Sequence, residues 1–152
     1  MSSAGGSMKV KDLMTKEVAT LGVDDELSLA NDIMRLGRIR HLPVVSGEAL
    51  VGIISERDLF RSSLAHALGY GNKDTREIMK TLHIKDVMVK QVTTVSPDME
   101  LADAVALMVE RKIGCLPVVQ DNKLLGLITE TDVMMQYCRD LGRCPKQGPG
   151  TR

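Results

Sequence analysis

The chain contains the same stretch of sequence twice. At an offset of 74 residues, Val10–Leu64 aligns without gaps with Ile84–Cys138, and 21 of the 55 aligned positions are identical. The shared positions end in GIISERD at 52–58 and in GLITETD at 126–132. Copies of about 55 residues are too small to bury an adequate core alone, so we expect them to pack face to face as one unit.

Each copy predicts the element order β-α-β-β-α, and therefore a mixed α/β (α+β) fold with two repeats packed pseudo-symmetrically through their sheets. A short helical turn (VKDLM, IKDVM) leads into a β-rich segment, and the apolar period then becomes helical. The runs LPVV and LVGII, or LPVV and LLGLI, predict a hairpin in each copy. The apolar helix faces are Leu27, Ala30, Ile33 and Met34 in the first copy, and Leu101, Ala104, Leu107 and Met108 in the second.

A helix is predicted after each hairpin, over 56–68 and 130–141. Ser55 and Thr129 stand at the strand ends as N-caps, and Asp58 and Asp132 follow three residues later in the capping-box position. Gly142 is expected to end the second helix. The predicted divisions are a tag or disordered start at 1–7, repeats at 8–68 and 84–142, a connector at 69–83 with a short helix capped at residue 74, and a disordered tail at 143–152.

Composition and charge exclude several classes of protein. Twenty basic and twenty acidic side chains leave a net charge of zero, so no electrostatic surplus is available to hold a nucleic-acid backbone. No apolar run approaches the roughly 18 residues of a membrane helix, and the first residues lack a secretory pattern, so we expect a cytoplasmic protein. The three cysteines match no zinc or disulfide spacing and are expected to be reduced thiols.

The duplicated Ser/Thr-x-x-Asp motif has two interpretations. It can be a capping box and nothing more. Alternatively, the amides at a helix N-terminus, a hydroxyl and a carboxylate together suit a ligand with anionic and hydroxyl groups, because amides bind phosphate and a carboxylate accepts from vicinal hydroxyls. A ribose phosphate is such a ligand.

Both halves resemble cystathionine-β-synthase (CBS) domains, and the pair resembles a Bateman module over about residues 8–140. The resemblance is carried by (V/I)KD(L/V)M, a Thr-containing strand, the amphipathic helix, LPVV and G(I/L)I(S/T)E-x-D, in this order and twice. It implies a regulatory module without catalysis that binds AMP, ADP, ATP or S-adenosylmethionine in clefts between the repeats. With no Trp, one Phe and two Tyr, the base would be held by aliphatic side chains.

The motif match implies two sets of ligand-binding residues. Asp58 and Asp132 would accept from ribose hydroxyls, Ser55 and Thr129 would face ribose or phosphate, and the backbone at 18–20 and 92–94 would meet the base. The implied residues are Val18, Thr20, Arg40, His41, Pro43, Ser55, Arg57 and Asp58 for the first site, and Val92, Thr94, Cys115, Pro117, Thr129 and Asp132 for the second.

The two sites are predicted to differ in charge. The first copy has Arg38, Arg40 and His41 before LPVV and Arg57 inside its motif, where the second copy has KIGC and Thr131. Converging guanidinium groups favour phosphate, so the first site should prefer a phosphorylated nucleotide. The arginines could instead be solvated surface charges.

The apolar residues of the two motif helices exceed what a small monomer needs, so we expect a homodimer through them, in line with the flat dimers of the family. The effector protein is unknown, and whether Mg²⁺ accompanies ATP stays open. A constitutive dimeric scaffold with empty clefts is the main alternative. An enzyme has no positive support, because no nucleophile with an attendant base is found at a recognisable spacing.

Overall fold

The computed structural model describes residues 7–62 and 75–145. The predicted start at 1–6, the last part of the first motif helix at 63–68, the connector up to residue 74 with its cap, and the tail from 146 lie outside the described residues. The chain forms two compact units. Among the described residues, unit 1 joins 7–18 to 93–145, and unit 2 contains 19–62 and 75–92.

The secondary structure is mixed, with short helices and two antiparallel hairpins, as the sequence predicts. The third helix is described over 56–62. In chain order the elements are α1 (Val10–Leu13), α2 (Leu27–Gly37), β1 (His41–Ser46), β2 (Ala49–Ser55), α3 (56–62), α4 (Thr75–Thr81), α5 (Ile84–Val87), α6 (Leu101–Arg111), β3 (Cys115–Gln120), β4 (Lys123–Thr129) and α7 (Glu130–Asp140).

Each unit is built around one hairpin, with a neighbouring segment bridged to each of its strands. In unit 2, β1 pairs with β2, Leu21 bridges Val44 in parallel, and Val89 bridges Ile53. In unit 1, β3 pairs with β4 and the same two bridges recur at positions 74 residues away. Both hairpins shift register at the same place, between the two valines of LPVV. The predicted EVATL and QVTTV segments thus form single bridges rather than full strands.

The helix that precedes each hairpin buries the face that the sequence predicts. In α2, Leu27 and Ala30 are fully buried and Met34 is nearly so, while in α6 Ala104 and Met108 are buried. Both helices end on a cationic residue in the left-handed conformation, Arg38 with φ 52° and Lys112 with φ 54°. A cation there complements the negative end of the helix dipole, and the left-handed residue turns the chain into the next strand.

The two copies exchange their leading segments. The helix α1 comes from the first copy but packs in unit 1, where Lys11 pairs with Asp98 at 2.9 Å. The helix α5 comes from the second copy but packs in unit 2, where Lys85 pairs with Asp24 at 2.9 Å. These two ion pairs are equivalent at the repeat offset of 74. The compact units and the sequence repeats therefore divide the chain differently.

Among the described residues, no helix is long and apolar enough to cross a membrane.

Candidate functional site

The Ser55–Asp58 pair forms a capping box at the junction of β2 and α3 in unit 2. Asp58 Oδ2 accepts hydrogen bonds from the Ser55 backbone N–H at 2.8 Å and from its hydroxyl at 2.8 Å. The Asp58 backbone N–H donates to Ser55 Oγ at 3.1 Å. The second carboxylate oxygen, Asp58 Oδ1, has no hydrogen-bond partner among the described residues. One carboxylate oxygen therefore holds the cap, and the other takes no part in it.

The Thr129–Asp132 pair repeats this arrangement between β4 and α7 in unit 1. Asp132 Oδ2 accepts from the Thr129 backbone N–H at 2.9 Å and from its hydroxyl at 3.0 Å, and the Asp132 backbone N–H donates to Thr129 Oγ1 at 3.3 Å. Here the other oxygen, Oδ1, accepts from the Thr15 hydroxyl at 3.3 Å. The predicted capping boxes are confirmed, and the two carboxylates differ in what their outer oxygens meet.

Several predicted ligand-binding residues of unit 2 meet at one edge of its hairpin. His41 at the start of β1 pairs with Ser55 at the end of β2. The Leu21 backbone N–H donates to the Pro43 carbonyl at 3.0 Å, which places Thr20 beside the start of β1. The Glu56 backbone N–H donates to the Arg40 carbonyl at 2.8 Å and ties the entry of β1 to the first turn of α3.

Unit 1 repeats this edge with smaller or less charged side chains. Cys115 pairs with Thr129, and the Val95 backbone N–H donates to the Pro117 carbonyl at 3.0 Å, which places Thr94 at the same edge. The Glu130 backbone N–H donates to the Gly114 carbonyl at 3.0 Å, as Glu56 does to Arg40 in unit 2. Val18 belongs to unit 1 and Val92 to unit 2, so each is in the unit opposite to its own repeat's hairpin.

The predicted ligand-binding residues include both buried residues that pack in the core and exposed polar residues. Pro43 and Pro117 are fully buried, so their contribution to the edge is its shape. Burial, followed by the negative charge of Asp132, raises the pKa of the Cys115 thiol to about 12. Cys115 is therefore a neutral thiol at ordinary pH. The exposed members of the two sets are Thr20, Arg40, Arg57 and Thr94.

A cleft of about 580 Å³ lies on the helical side of unit 2, and we call it the arginine cleft. It is lined by residues of α2, the α2–β1 connection, α3 and α4: Asn31, Met34, Arg35, Arg38, Ile39, Arg40, Glu56, Leu59, Phe60 and Met79. Its buried members are Met34, Leu59 and Met79. Such a volume is within the range of small-molecule sites.

Three exposed guanidinium groups surround this cleft, and Glu56 is the single acid among its lining residues. Arg35, Arg38 and Arg40 have no ion-pair partner among the described residues. The sequence prediction identified Arg38 and Arg40, whereas Arg35 was missed although its spacing of three residues from Arg38 on a helix indicates a shared face. Arg57 is exposed but is not among the described residues that line the cleft.

Unit 1 has a different charge at the matching positions. Val109, Lys112 and Gly114 stand where unit 2 has Arg35, Arg38 and Arg40. A Cβ at Gly114 would lie 3.0–3.3 Å from the carboxylate group of Glu130, so an acidic side chain occupies the space beside this position. The predicted charge difference between the two copies thus has a structural counterpart.

Comparison with known proteins agrees with these observations. The model of the CBS domain family matches residues 10–65 and 84–138. An uncharacterized 33.4 kDa protein of the ribosomal RNA operon of Thermofilum pendens is 35% identical over 136 residues, covering 89% of this chain and 45% of that protein. Inosine-5'-monophosphate dehydrogenase of Methanocaldococcus jannaschii is 35% identical over 128 residues, covering 83% of this chain and 23% of the enzyme. The chain thus spans less than half the length of these two relatives.

Two solved structures are similar over nearly all of the chain. A Vibrio cholerae protein provisionally assigned to acetoin utilization (AcuB) has a TM-score of 0.77 and 31% identity, covering 94% of this chain and 99% of its own. The CBS domain pair of protein MJ0100, solved in complex with 5'-methylthioadenosine and S-adenosyl-L-methionine, has a TM-score of 0.71 and 26% identity, covering 89% and 99%. With both copies matched by the family model, the chain belongs to the CBS domain family and contains a pair of these domains.

Proposed function

We propose that the protein is a regulatory module, not an enzyme, that binds adenosine-containing ligands at its two strand-to-helix junctions. The observation that carries this proposal is the pair of Ser/Thr–Asp junctions, in which one carboxylate oxygen holds the cap and the other takes no part in it. In support, the related MJ0100 pair was solved with two adenosine-containing molecules. The ligands proposed for this chain are AMP, ADP, ATP or S-adenosylmethionine.

Each group at the junction has a chemical task in this proposal. Asp58 and Asp132 use Oδ1 to accept hydrogen bonds from ribose hydroxyls, while Oδ2 keeps the helix cap closed. The hydroxyls of Ser55 and Thr129 and the first amides of α3 and α7 face the ribose or the phosphate. The chain has no Trp, so aliphatic side chains hold the base.

The two sites are proposed to prefer different ligands. The first has Arg38 and Arg40 at the entry of β1, together with the exposed Arg57, and is assigned to a phosphorylated nucleotide. The second has Val109, Lys112 and Gly114 at the positions of Arg35, Arg38 and Arg40, and with no guanidinium group there it binds more weakly or takes a less charged adenosine compound. The ligand acts by favouring one conformation of the module, and this conformation changes its contact with an effector protein.

A second candidate function is a constitutive dimeric scaffold. Phe60 and Met134 occupy equivalent positions on α3 and α7, and their side chains are 66% and 69% exposed. Tyr137, one turn further along α7, is 67% exposed. Large exposed apolar side chains at repeated positions favour a subunit interface. We propose a homodimer through these helices in either case, and the scaffold differs in that its junctions bind no ligand.

Titration calorimetry with adenosine, AMP, ATP and S-adenosylmethionine tests the ligand proposal. The wild type should bind at least one of them, and at 100 times its Kd a ligand should stabilise the fold by about 2.7 kcal/mol. Asp58→Asn and Asp132→Asn should each weaken one site. Asp86→Asn is the matched control, because Asp86 accepts from the His83 backbone N–H at 3.2 Å in the same i, i+3 geometry but lies outside the motif.

The outcomes separate the two candidate functions. Binding that is weakened by the two motif variants and unchanged by Asp86→Asn supports the sensor. Absence of binding by the folded wild type at millimolar concentrations of every compound contradicts it and favours the scaffold. Equal losses in all three variants would attribute the effect to helix capping rather than to ligand contact.

A further inference from the structure

The C-terminal end of α7 is a tight, glycine-dependent turn that folds the chain back along the helix. Gly142 has φ 67°, in the left-handed region that favours glycine. Its backbone N–H donates to the Arg139 carbonyl at 2.9 Å, and the Arg143 backbone N–H donates to the Cys138 carbonyl at 3.1 Å. This pair of reversed bonds is the Schellman pattern of helix termination.

The turn brings two thiols together. The Cys138 thiol donates to the Arg143 carbonyl at 3.1 Å, so it faces the returning chain. Cys144 is the next residue, and the carbonyl carbon of Arg143, whose oxygen accepts from the Cys138 thiol, is bonded to its backbone nitrogen. Both cysteines are reduced and half-buried, and therefore remain partly accessible to small reagents. The pair belongs to neither strand-to-helix junction, and the ligand proposal makes no use of it.

We propose that Cys138 and Cys144 form an intramolecular disulfide when the protein meets a peroxide. A disulfide requires Cα atoms about 4.4–6.8 Å apart. The turn brings Arg143 against both the carbonyl and the thiol of Cys138, and so brings the next residue, Cys144, to the same end of the helix. One thiol attacks hydrogen peroxide as its thiolate, giving a sulfenic acid and one water. The other thiol displaces the hydroxyl group of the sulfenic acid, giving the disulfide and a second water.

The two electrons lost by the thiols are thus accepted by the peroxide, and two protons leave with the two water molecules. Partial desolvation, and then the neighbouring Cys144 thiol, raise the pKa of the Cys138 thiol. Either thiol can attack the peroxide while the other resolves the sulfenic acid, and both routes give the same disulfide. The bond would fasten the turn to the C-terminal end of α7, the helix whose N-terminal end has the Thr129–Asp132 junction.

The test is peroxide oxidation of the full chain, followed by alkylation in denaturant and mass spectrometry. The wild type should lose two hydrogens in mass and take up a single alkyl group, at the buried Cys115, in place of three. Arg139 and Arg143 lie between the paired cysteines, so trypsin separates Cys138 from Cys144 unless a disulfide joins the two peptides. The joined peptides should appear without reductant and disappear with it.

Two substitutions with the same backbone strain test the role of the turn. Gly142→Ala places a Cβ at a positive φ and should slow disulfide formation several-fold. Gly47→Ala is the matched control, because Gly47 has a similar φ of 62° in the first hairpin turn, away from the thiols in sequence. It should oxidise at the wild-type rate. Both glycines have open space around the added Cβ, so steric clashes do not confuse the comparison.

Three results would overturn the proposal. One is oxidation of Cys144 to sulfinic acid with no joined peptide. Another is a product made only of disulfide-linked dimers on a non-reducing gel. The third is an equal rate of disulfide formation in Gly142→Ala and Gly47→Ala, because the native turn would then have no part in pairing the thiols.

Discussion

The Thr15 hydroxyl donates to Asp132 Oδ1 at 3.3 Å, and the repeat offset places Val89 at the position equivalent to Thr15. Both residues bridge the second strand of a hairpin, Thr15 at Leu127 and Val89 at Ile53. A valine cannot donate a hydrogen bond, so Asp58 Oδ1 lacks the partner that Asp132 Oδ1 has. One hydroxyl therefore distinguishes two otherwise equivalent capping boxes.

Replacing each of these residues by its counterpart in the other copy should change the adenosine affinity of the two junctions in opposite directions. Thr15→Val frees Asp132 Oδ1 and should strengthen adenosine binding at the second site by a few-fold, since an exposed hydrogen bond contributes roughly 0.5–1.5 kcal/mol. Val89→Thr should weaken the first site by a similar factor. Calorimetry on each variant, with the other site disabled by Asp→Asn, measures this. Unchanged affinities in both variants would contradict a role for the hydroxyl.

Neutralising the arginines should reduce the preference for phosphorylated ligands. Arg38→Gln with Arg40→Gln removes two guanidinium groups from the first site, and the ratio of the Kd for adenosine to the Kd for AMP should fall at least tenfold. Binding of adenosine itself should change little. The control is Arg111→Gln in unit 1, where the guanidinium donates to Thr93 instead. An unchanged ratio would identify Arg38 and Arg40 as solvated surface charges.

The glycine of the second motif should tolerate alanine less well than the glycine of the first. A Cβ at Gly126 would overlap the Thr15 carbonyl oxygen, a backbone atom held by the bridge to Leu127. A Cβ at Gly52 would first meet the Met88 sulfur at 2.6 Å, at the far end of a flexible side chain. Gly126→Ala should therefore cost about 1–3 kcal/mol more than Gly52→Ala, and thermal unfolding measures the difference. Equal melting temperatures would contradict this prediction.

Acid should destabilise the protein partly through the ion pairs Lys85–Asp24 and Lys9–Glu100. The hydrogen bond and the charge of Lys85 lower the pKa of Asp24, and hydrogen bonds from Lys9 and Ser7 lower the pKa of Glu100. A lowered pKa in the folded state contributes stability that is present above the ordinary values of 3.8 and 4.5 and is lost as the pH falls through the lowered ones.

The double variant Asp24→Asn with Glu100→Gln should therefore show a smaller drop in Tm than the wild type when the pH is lowered from 6 to about 3. Glu17→Gln is the control, because Glu17 is exposed and has no ion-pair partner among the described residues. The same drop in all three proteins would assign the acid sensitivity to other groups.

Charges placed on the motif helices should separate the proposed homodimer. Phe60→Asp with Met134→Asp puts a carboxylate on each helix and should give a monomer by sedimentation analysis, because an unpaired charge at an interface core must be desolvated. Val109→Asp is the control, since Val109 on α6 is 74% exposed and lies on neither motif helix. A monomeric wild type would contradict the proposed interface.

The features predicted correctly from the sequence depend on residues close together in the chain. The i, i+3 spacing of Ser55 and Asp58 is sufficient to predict a capping box, because both residues serve the same helical turn. Short β-branched runs separated by turn residues predicted the two hairpins in the same way. The copies can be compared directly, so the charge difference at Arg40 and Gly114 was also visible.

The features missed depend on partners far apart in the chain. Lys11 and Asp98 are 87 positions apart, and nothing in the spacing of charged residues indicates that the leading segments are exchanged. Thr15 reaches Asp132 only because of this exchange, so its hydroxyl could not be assigned to the second junction. Arg35 was missed because the cleft beside it forms only when α3 and α4 are in place.

The exchange of leading segments sets an order of assembly during synthesis on the ribosome. Residues 19–92 contain every described part of unit 2, so this unit can close as soon as Val92 leaves the exit tunnel. The helix α1 is translated before unit 2, yet its backbone amides donate to the Pro97 and Met99 carbonyls, so it must wait for a segment made after that unit. A segment translated before unit 2 therefore takes its place only after that unit has closed.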